Sequence, residues 1–142
     1  ASGGIQISEI GSSPLAAGLS SGLDYKMISA GKVIDSSEAL VARNGSGIDK
    51  PSDLKGKRIA VPIGSTAHYS LMGALKMYGM TEKDVTVLGM APAEIAAAWA
   101  QNAIDAAFVW VPVLPVGLPK RVSIPLTPGL LTTSSQKTIA KA

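Results

Sequence analysis

Arg58-Ile-Ala-Val-Pro-Ile-Gly-Ser-Thr-Ala-His-Tyr-Ser-Leu-Met-Gly-Ala-Leu-Lys-Met-Tyr-Gly79 decides the fold. Arg58–Pro62 is a short apolar run that suits a buried strand. Gly64-Ser65-Thr66 supplies a tight turn and then small hydroxyl residues where a helix begins. The spacing of Leu71, Met72 and Leu75 predicts a helix over 68–78, with Gly79 as its stop. A helix start carries four backbone N–H groups without internal partners, and the aligned peptide dipoles make it a ready site for an anion. A second turn of the same kind stands upstream, Gly11-Ser12-Ser13-Pro14. Here Ser13 reads as the N-cap, Pro14 as the first helical residue and 15–20 as a short helix closing near Gly22.

Working outward, Asp84–Leu88 reads as a strand, Pro92–Gln101 as a helix with Glu94 in its first turn, and Ile104–Trp110 as a final strand. The order over 58–110 is β-α-β-α-β with short connections, which implies a parallel sheet covered by helices. Ligands of such sheets bind outside the carboxyl ends of the strands, where Gly64-Ser65-Thr66 lies. Upstream, Ile5–Ile10 alternates apolar and polar residues as a half-buried strand does, and Lys26–Ala30 reads as another strand. Ser37–Arg43 is a third, ending at the turn Asn44-Gly45-Ser46-Gly47, and Pro51–Gly56 is a single helical turn. After Trp110 come Pro112, Pro115, Pro119, Pro125 and Pro128, which leave no room for a long helix.

Composition narrows the function classes. The chain has 142 residues, the size of one ordinary domain, and 46% of them are apolar, enough for a core. The net charge of +3 resides in the tail, where Lys120, Arg121, Lys137 and Lys141 meet no acid. No basic stripe with interleaved aromatics marks the rest, so a nucleic-acid partner is not expected. Without cysteine there are no disulfides or thiolate chemistry, and one histidine makes no usual metal cluster. No G-x-S-x-G elbow, Walker A loop or G-x-G-x-x-G fingerprint occurs, so neither an enzyme nor a cofactor is expected. No apolar run reaches the length of a membrane span, and no signal peptide is visible.

Five segments in order resemble the periplasmic substrate-binding proteins of taurine and alkanesulfonate ABC transporters, within the nitrate/sulfonate/taurine group. They are Ile10-Gly-Ser-Ser-Pro-Leu-Ala, Ser37-Glu-Ala-Leu-Val, Asp53-Leu-Lys-Gly-Lys-Arg-Ile-Ala-Val-Pro, Gly64-Ser-Thr-Ala-His-Tyr-Ser-Leu and Ile104-Asp-Ala-Ala-Phe-Val-Trp. The resemblance covers about residues 5–110 and departs from the pattern at Asn102-Ala103 and Val111. It implies an α/β architecture, a parallel sheet with helices on both faces, as part of a type II periplasmic-binding-protein fold of two lobes. Residues 1–44 would then be a partial first lobe and crossover, 45–114 the second lobe, and 115–142 a Pro-rich basic tail outside the pattern.

The resemblance further implies a non-enzymatic, extracytoplasmic component of an importer. It would bind a small sulfonate such as taurine and meet the transporter's membrane subunits. Gly11, Ser12 and Ser13, with Gly64, Ser65 and Thr66, would hold the anionic head through N–H groups and hydroxyls. Each turn reads equally as an ordinary capped helix start. His68 and Tyr69 border the second turn, and each also reads as a local structural residue. Trp110 would pack the alkyl part of a ligand, and Glu38 would either pair a ligand amine or stand solvated. Two alternatives remain at this level. One is a fragment acting as an interaction module, with homo-oligomers forming through exposed sheet edges. The other is an enzyme of the thiamine-precursor type.

Overall fold

The computed structural model describes residues 4–30 and 38–110. In chain order the elements are α1 (Ser12–Ser20), β1 (Glu38–Ala42), β2 (Arg58–Val61), α2 (Thr66–Met77), β3 (Thr86–Gly89), α3 (Pro92–Ala100) and β4 (Ala106–Trp110). Single 3-10 turns at Pro51–Leu54 and Glu82–Asp84 lead into β2 and β3. The four strands form one sheet in the order β1-β4-β2-β3. β2 is parallel to both β3 and β4, and β1 lies antiparallel to β4, with Glu38 opposite Trp110 and Ala42 opposite Ala106. The architecture is the expected α/β one, with an antiparallel edge strand added to the parallel set.

The helices cover both faces because the chain reverses direction across the sheet. From β2 it passes through α2 to β3 on one side, then through α3 back over β2 to β4 on the other. Right-handed crossovers in opposite directions put α2 and α3 on opposite faces. Side-chain alternation matches this. Leu40, Ile59, Val61 and Phe108 point to the α2 face and bury Leu71, Ala74 and Leu75. Ala60, Ala107 and Val109 point to the other face, with Ile95 of α3 and Ile104. β2 therefore stands where the strand order switches, with the start of α2 at its carboxyl end.

Helix ends follow their sequences closely. Gly79 takes φ +68°, its N–H donates to Lys76 O (3.1 Å), and the Met80 N–H donates to Leu75 O (2.8 Å). This left-handed ending satisfies two carbonyls and buries Met80 beside Leu75. α1 closes the same way, through Gly22 N–H to Leu19 O and Leu23 N–H to Gly18 O, each 3.0 Å. At the end of α3 the corresponding position is Asn102, at φ +55°. Asparagine is the residue after glycine that tolerates this conformation, so the departure at Asn102-Ala103 leaves the helix ending intact.

Several expected boundaries differ. Ile5–Ile10 and Lys26–Ala30 are not strands: both are exposed and irregular, with Ile7 78% and Ile28 80% accessible. A strand needs a hydrogen-bonded neighbour, and no described strand lies beside either segment. α1 begins earlier than expected, with Gly11 as N-cap and Pro14 in the third helical position, not the first. Pro14 costs no hydrogen bond there, because the first intrahelical N–H donor is Leu15, bonding to Gly11 O (3.0 Å). Asp84 closes a 3-10 turn instead of opening β3, because its Oδ2 accepts from the Thr81 N–H (2.9 Å) and hydroxyl (3.0 Å). The tail, 111–142, lies outside the described residues.

Candidate functional site

The carboxyl end of the sheet gathers most of the residues singled out in the sequence. β2 exits through Pro62 and Ile63 into Gly64, whose φ of +76° turns the chain sharply into α2. Ser65 is the N-cap: its Oγ accepts from the His68 N–H (3.2 Å) and donates to Pro62 O (2.6 Å). The Gly64 N–H donates to Nδ1 of His68 (3.3 Å), so His68 is held by the turn. Its Nε2 is buried and has no hydrogen-bond partner among the described residues. Tyr69 points to solvent, 72% accessible. Trp110 is partly buried and packs against the α2-face core at the end of β4.

The start of α1 meets the start of α2. A methyl group placed on Gly11 would come within 2.7 Å of Thr66 Cγ2, closer than atoms tolerate. Glycine at this position is what permits the approach. The N–H groups of Ser12, Ser13, Thr66 and Ala67 belong to first turns and have no intrahelical partners. Two helix N-termini each carry roughly half a positive charge, so bringing them together is unfavourable unless negative charge lies nearby. Neither helix has an acid in its own first turn. The charge comes from β1: Glu38 Oε1 accepts a short hydrogen bond from the Thr66 hydroxyl, and Oε2 accepts from Ser70 Oγ (3.4 Å).

These bonds settle where the protons go. A hydroxyl has one proton. Ser65 gives its proton to Pro62 O and Thr66 gives its own to Glu38. In this arrangement both hydroxyls donate within the protein. The α2 side offers backbone N–H groups, and on α1 the Ser12 and Ser13 hydroxyls have no partner among the described residues. Ser70 and the Glu38–Thr66 link are absent from the sequence reading. Ser70 stands four residues after Thr66 and so on the same helix face. That spacing and the strand carrying Glu38 were both legible, but not that the two lie side by side.

The opposite end of the sheet holds a different cluster. Arg58 grips Asp105 with two parallel bonds, Nη2 to Oδ1 (2.9 Å) and Nε to Oδ2 (3.1 Å), while its backbone N–H also reaches Oδ2 (3.0 Å). Arg43 adds a longer contact to Oδ1 (3.7 Å). The hydrogen bonds from Arg58 dominate and hold the Asp105 carboxyl down to about 2. A concavity of about 260 Å³ beside this cluster is lined by Arg43, Asn44, Gly45, Gly47, Ile48 and Asp49. It lies away from both helix starts, and its arginine is already engaged by Ile104 O and Asn102 Oδ1.

Comparison with known proteins places the whole arrangement. The taurine-binding periplasmic protein of Escherichia coli (strain K12) is 46% identical over 112 residues, 79% of this chain. The chain spans about a third of that protein's length, 34%. Among solved structures, the periplasmic aliphatic sulphonate binding protein SsuA of Escherichia coli superposes with a TM-score of 0.52 at 32% identity, over 54% of this chain and 26% of that one. The alkanesulfonate-binding protein SsuA of Xanthomonas axonopodis pv. citri, bound to MOPS, gives the same score and coverage at 38% identity. The family pattern described as NMT1/THI5 like matches residues 11–117, so the chain, with its α/β sheet and facing helix starts, belongs to that family.

Proposed function

We propose that the chain is part of an extracytoplasmic solute-binding component of an ABC importer and that it binds a small sulfonate without chemical conversion. The observation that carries this reading is the approach of Gly11 to Thr66. It brings two helix N-termini together at the carboxyl end of the sheet, where their unpaired N–H groups and the Ser12 and Ser13 hydroxyls would be the donors to an anion. A sulfonate suits fixed donors because it is ionised throughout the physiological pH range. The names of the relatives, one a taurine binder and two sulfonate binders, support the same ligand class. In this reading β1 to β4 belong to one lobe, α1 belongs to the facing one, and the importer's membrane subunits are the protein partner.

The test is calorimetric titration with taurine and ethanesulfonate, paired with thermal denaturation. Ligand at about ten times Kd stabilises the folded state by about 1.4 kcal/mol, a rise of several degrees in Tm for a domain of this size. A saturable heat and such a rise are expected. Absence of both at about 10 mM ligand, where even a ~1 mM site would be nearly filled, would refute sulfonate binding by this chain.

A further inference from the structure

We infer that Glu38 makes the site selective for charge, admitting monoanions and rejecting dianions without a proton to donate, such as sulfate. The inference rests on the proposed sulfonate site and adds to it a residue that sets specificity. A pocket built to bind any tetrahedral oxyanion would carry donors only. Here a carboxylate stands among the donors, one hydroxyl away from the point where α1 meets α2: Glu38 bonds Thr66 Oγ1, and Thr66 Oγ1 lies 3.5 Å from the position a Gly11 Cβ would take. Glu38 is partly exposed and is held by Thr66 and Ser70, and among the described residues no lysine or arginine is paired to it. Its charge therefore reaches the region where a ligand head would sit.

The consequences differ between ligands of one shape and two charges. A sulfonate presents three oxygens and one negative charge, and its fourth substituent is carbon, which needs no donor. Sulfate presents a fourth oxygen and a second charge. With the Thr66 proton already given to Glu38, that oxygen would face acceptor lone pairs on Thr66 and the carboxylate itself. At about 6 Å and an effective dielectric between that of a protein surface and water, one additional like charge weakens binding by on the order of tenfold.

Ethanesulfonate and sulfate, titrated at fixed ionic strength into the wild-type chain and Glu38→Gln, test the inference. In the wild type, sulfate is expected to bind about tenfold or more weakly than ethanesulfonate. Glu38→Gln keeps an acceptor oxygen for Thr66 but removes the charge, so sulfate should gain about tenfold relative to ethanesulfonate. Ser70→Ala, which removes a hydrogen bond and no charge, should leave the ratio between the ligands unchanged. An equal ratio in wild type and Glu38→Gln overturns the inference while leaving the sulfonate site standing. Wild-type protein that binds sulfate as tightly as ethanesulfonate overturns it without any variant. Wild-type protein that binds no sulfonate removes the underlying site and the inference together.

Discussion

Gly11 is the residue on which the geometry of the site turns. The missing side chain leaves 2.7 Å between its would-be Cβ and Thr66 Cγ2, so even alanine forces the Thr66 side chain off its bond to Glu38 or moves the two helix starts apart. Its backbone is extended, at φ −69° and ψ 157°, a conformation open to any residue. Substitution therefore carries a steric consequence and no backbone strain. Gly11→Ala is expected to weaken sulfonate affinity by about tenfold or more, in line with loss of one or two aligned donors. Its Tm should fall little, because α1 buries no residue completely. Titration together with a melting curve checks both halves. A Tm drop as large as that of a core truncation would instead show that the contact serves the fold. His68 shows the opposite relation between residue type and role. As the sole histidine it invites a ligand role, yet its Nδ1 is occupied by the Gly64 N–H and it braces the turn.

At the scale of elements, α2 joins fold and site, because its apolar face is core and its first turn faces the candidate ligand region. Ser65 secures that turn by accepting from the His68 N–H while donating to Pro62 O. Ser65→Ala removes the cap and leaves a donor without its partner, for an expected loss of about 1 kcal/mol. Chemical denaturation should show this as a lower midpoint at constant slope. Ser65→Asp keeps the acceptor and should restore much of the stability, but it adds negative charge beside the anion region and should weaken sulfonate binding. α2 and α3 were legible in the sequence because each carries local chemistry, a capping serine and the stop glycine Gly79 for α2 and a proline at the first helical position for α3, and β2 was legible as an apolar run. Ile5–Ile10 and Lys26–Ala30 were misread because alternation records only what a strand would bury, whereas pairing depends on a neighbour that no local pattern names. The two turns of the site were legible for the same reason as the helices. The Glu38–Thr66 bond was not, since it joins residues 28 apart through sheet register.

For the molecule as a whole, the two ends of the sheet have opposite electrostatic tasks. The carboxyl end leaves backbone donors open, whereas the amino end gathers Arg58 and Arg43 on Asp105. Its two oxygens take the Arg58 fork and the Arg58 N–H, while Asp105 O accepts from the Arg43 N–H (2.9 Å) and the Asp105 N–H donates to Arg58 O (3.0 Å). β4, β2 and the segment after β1 are thus tied together at one point. Because the folded carboxyl is held at about 2, below the ordinary 3.8, the native state favours the ionised form. Its contribution is complete above about pH 4 and disappears as pH falls through about 2, where folded and unfolded chains bind the proton alike. Arg58 is itself 44% exposed, so solvent screening reduces the effect to on the order of 1 kcal/mol. Asp105→Asn should therefore lower the Tm at neutral pH and flatten its dependence on acid. Wild type and variant should differ most above pH 4 and converge toward pH 2. Curves that run parallel between pH 2 and 5 would mean that the fork contributes packing and no charge. Sulfonate affinity measured at neutral pH should be nearly the same in both proteins, because the cluster and the helix starts occupy opposite ends of the strands.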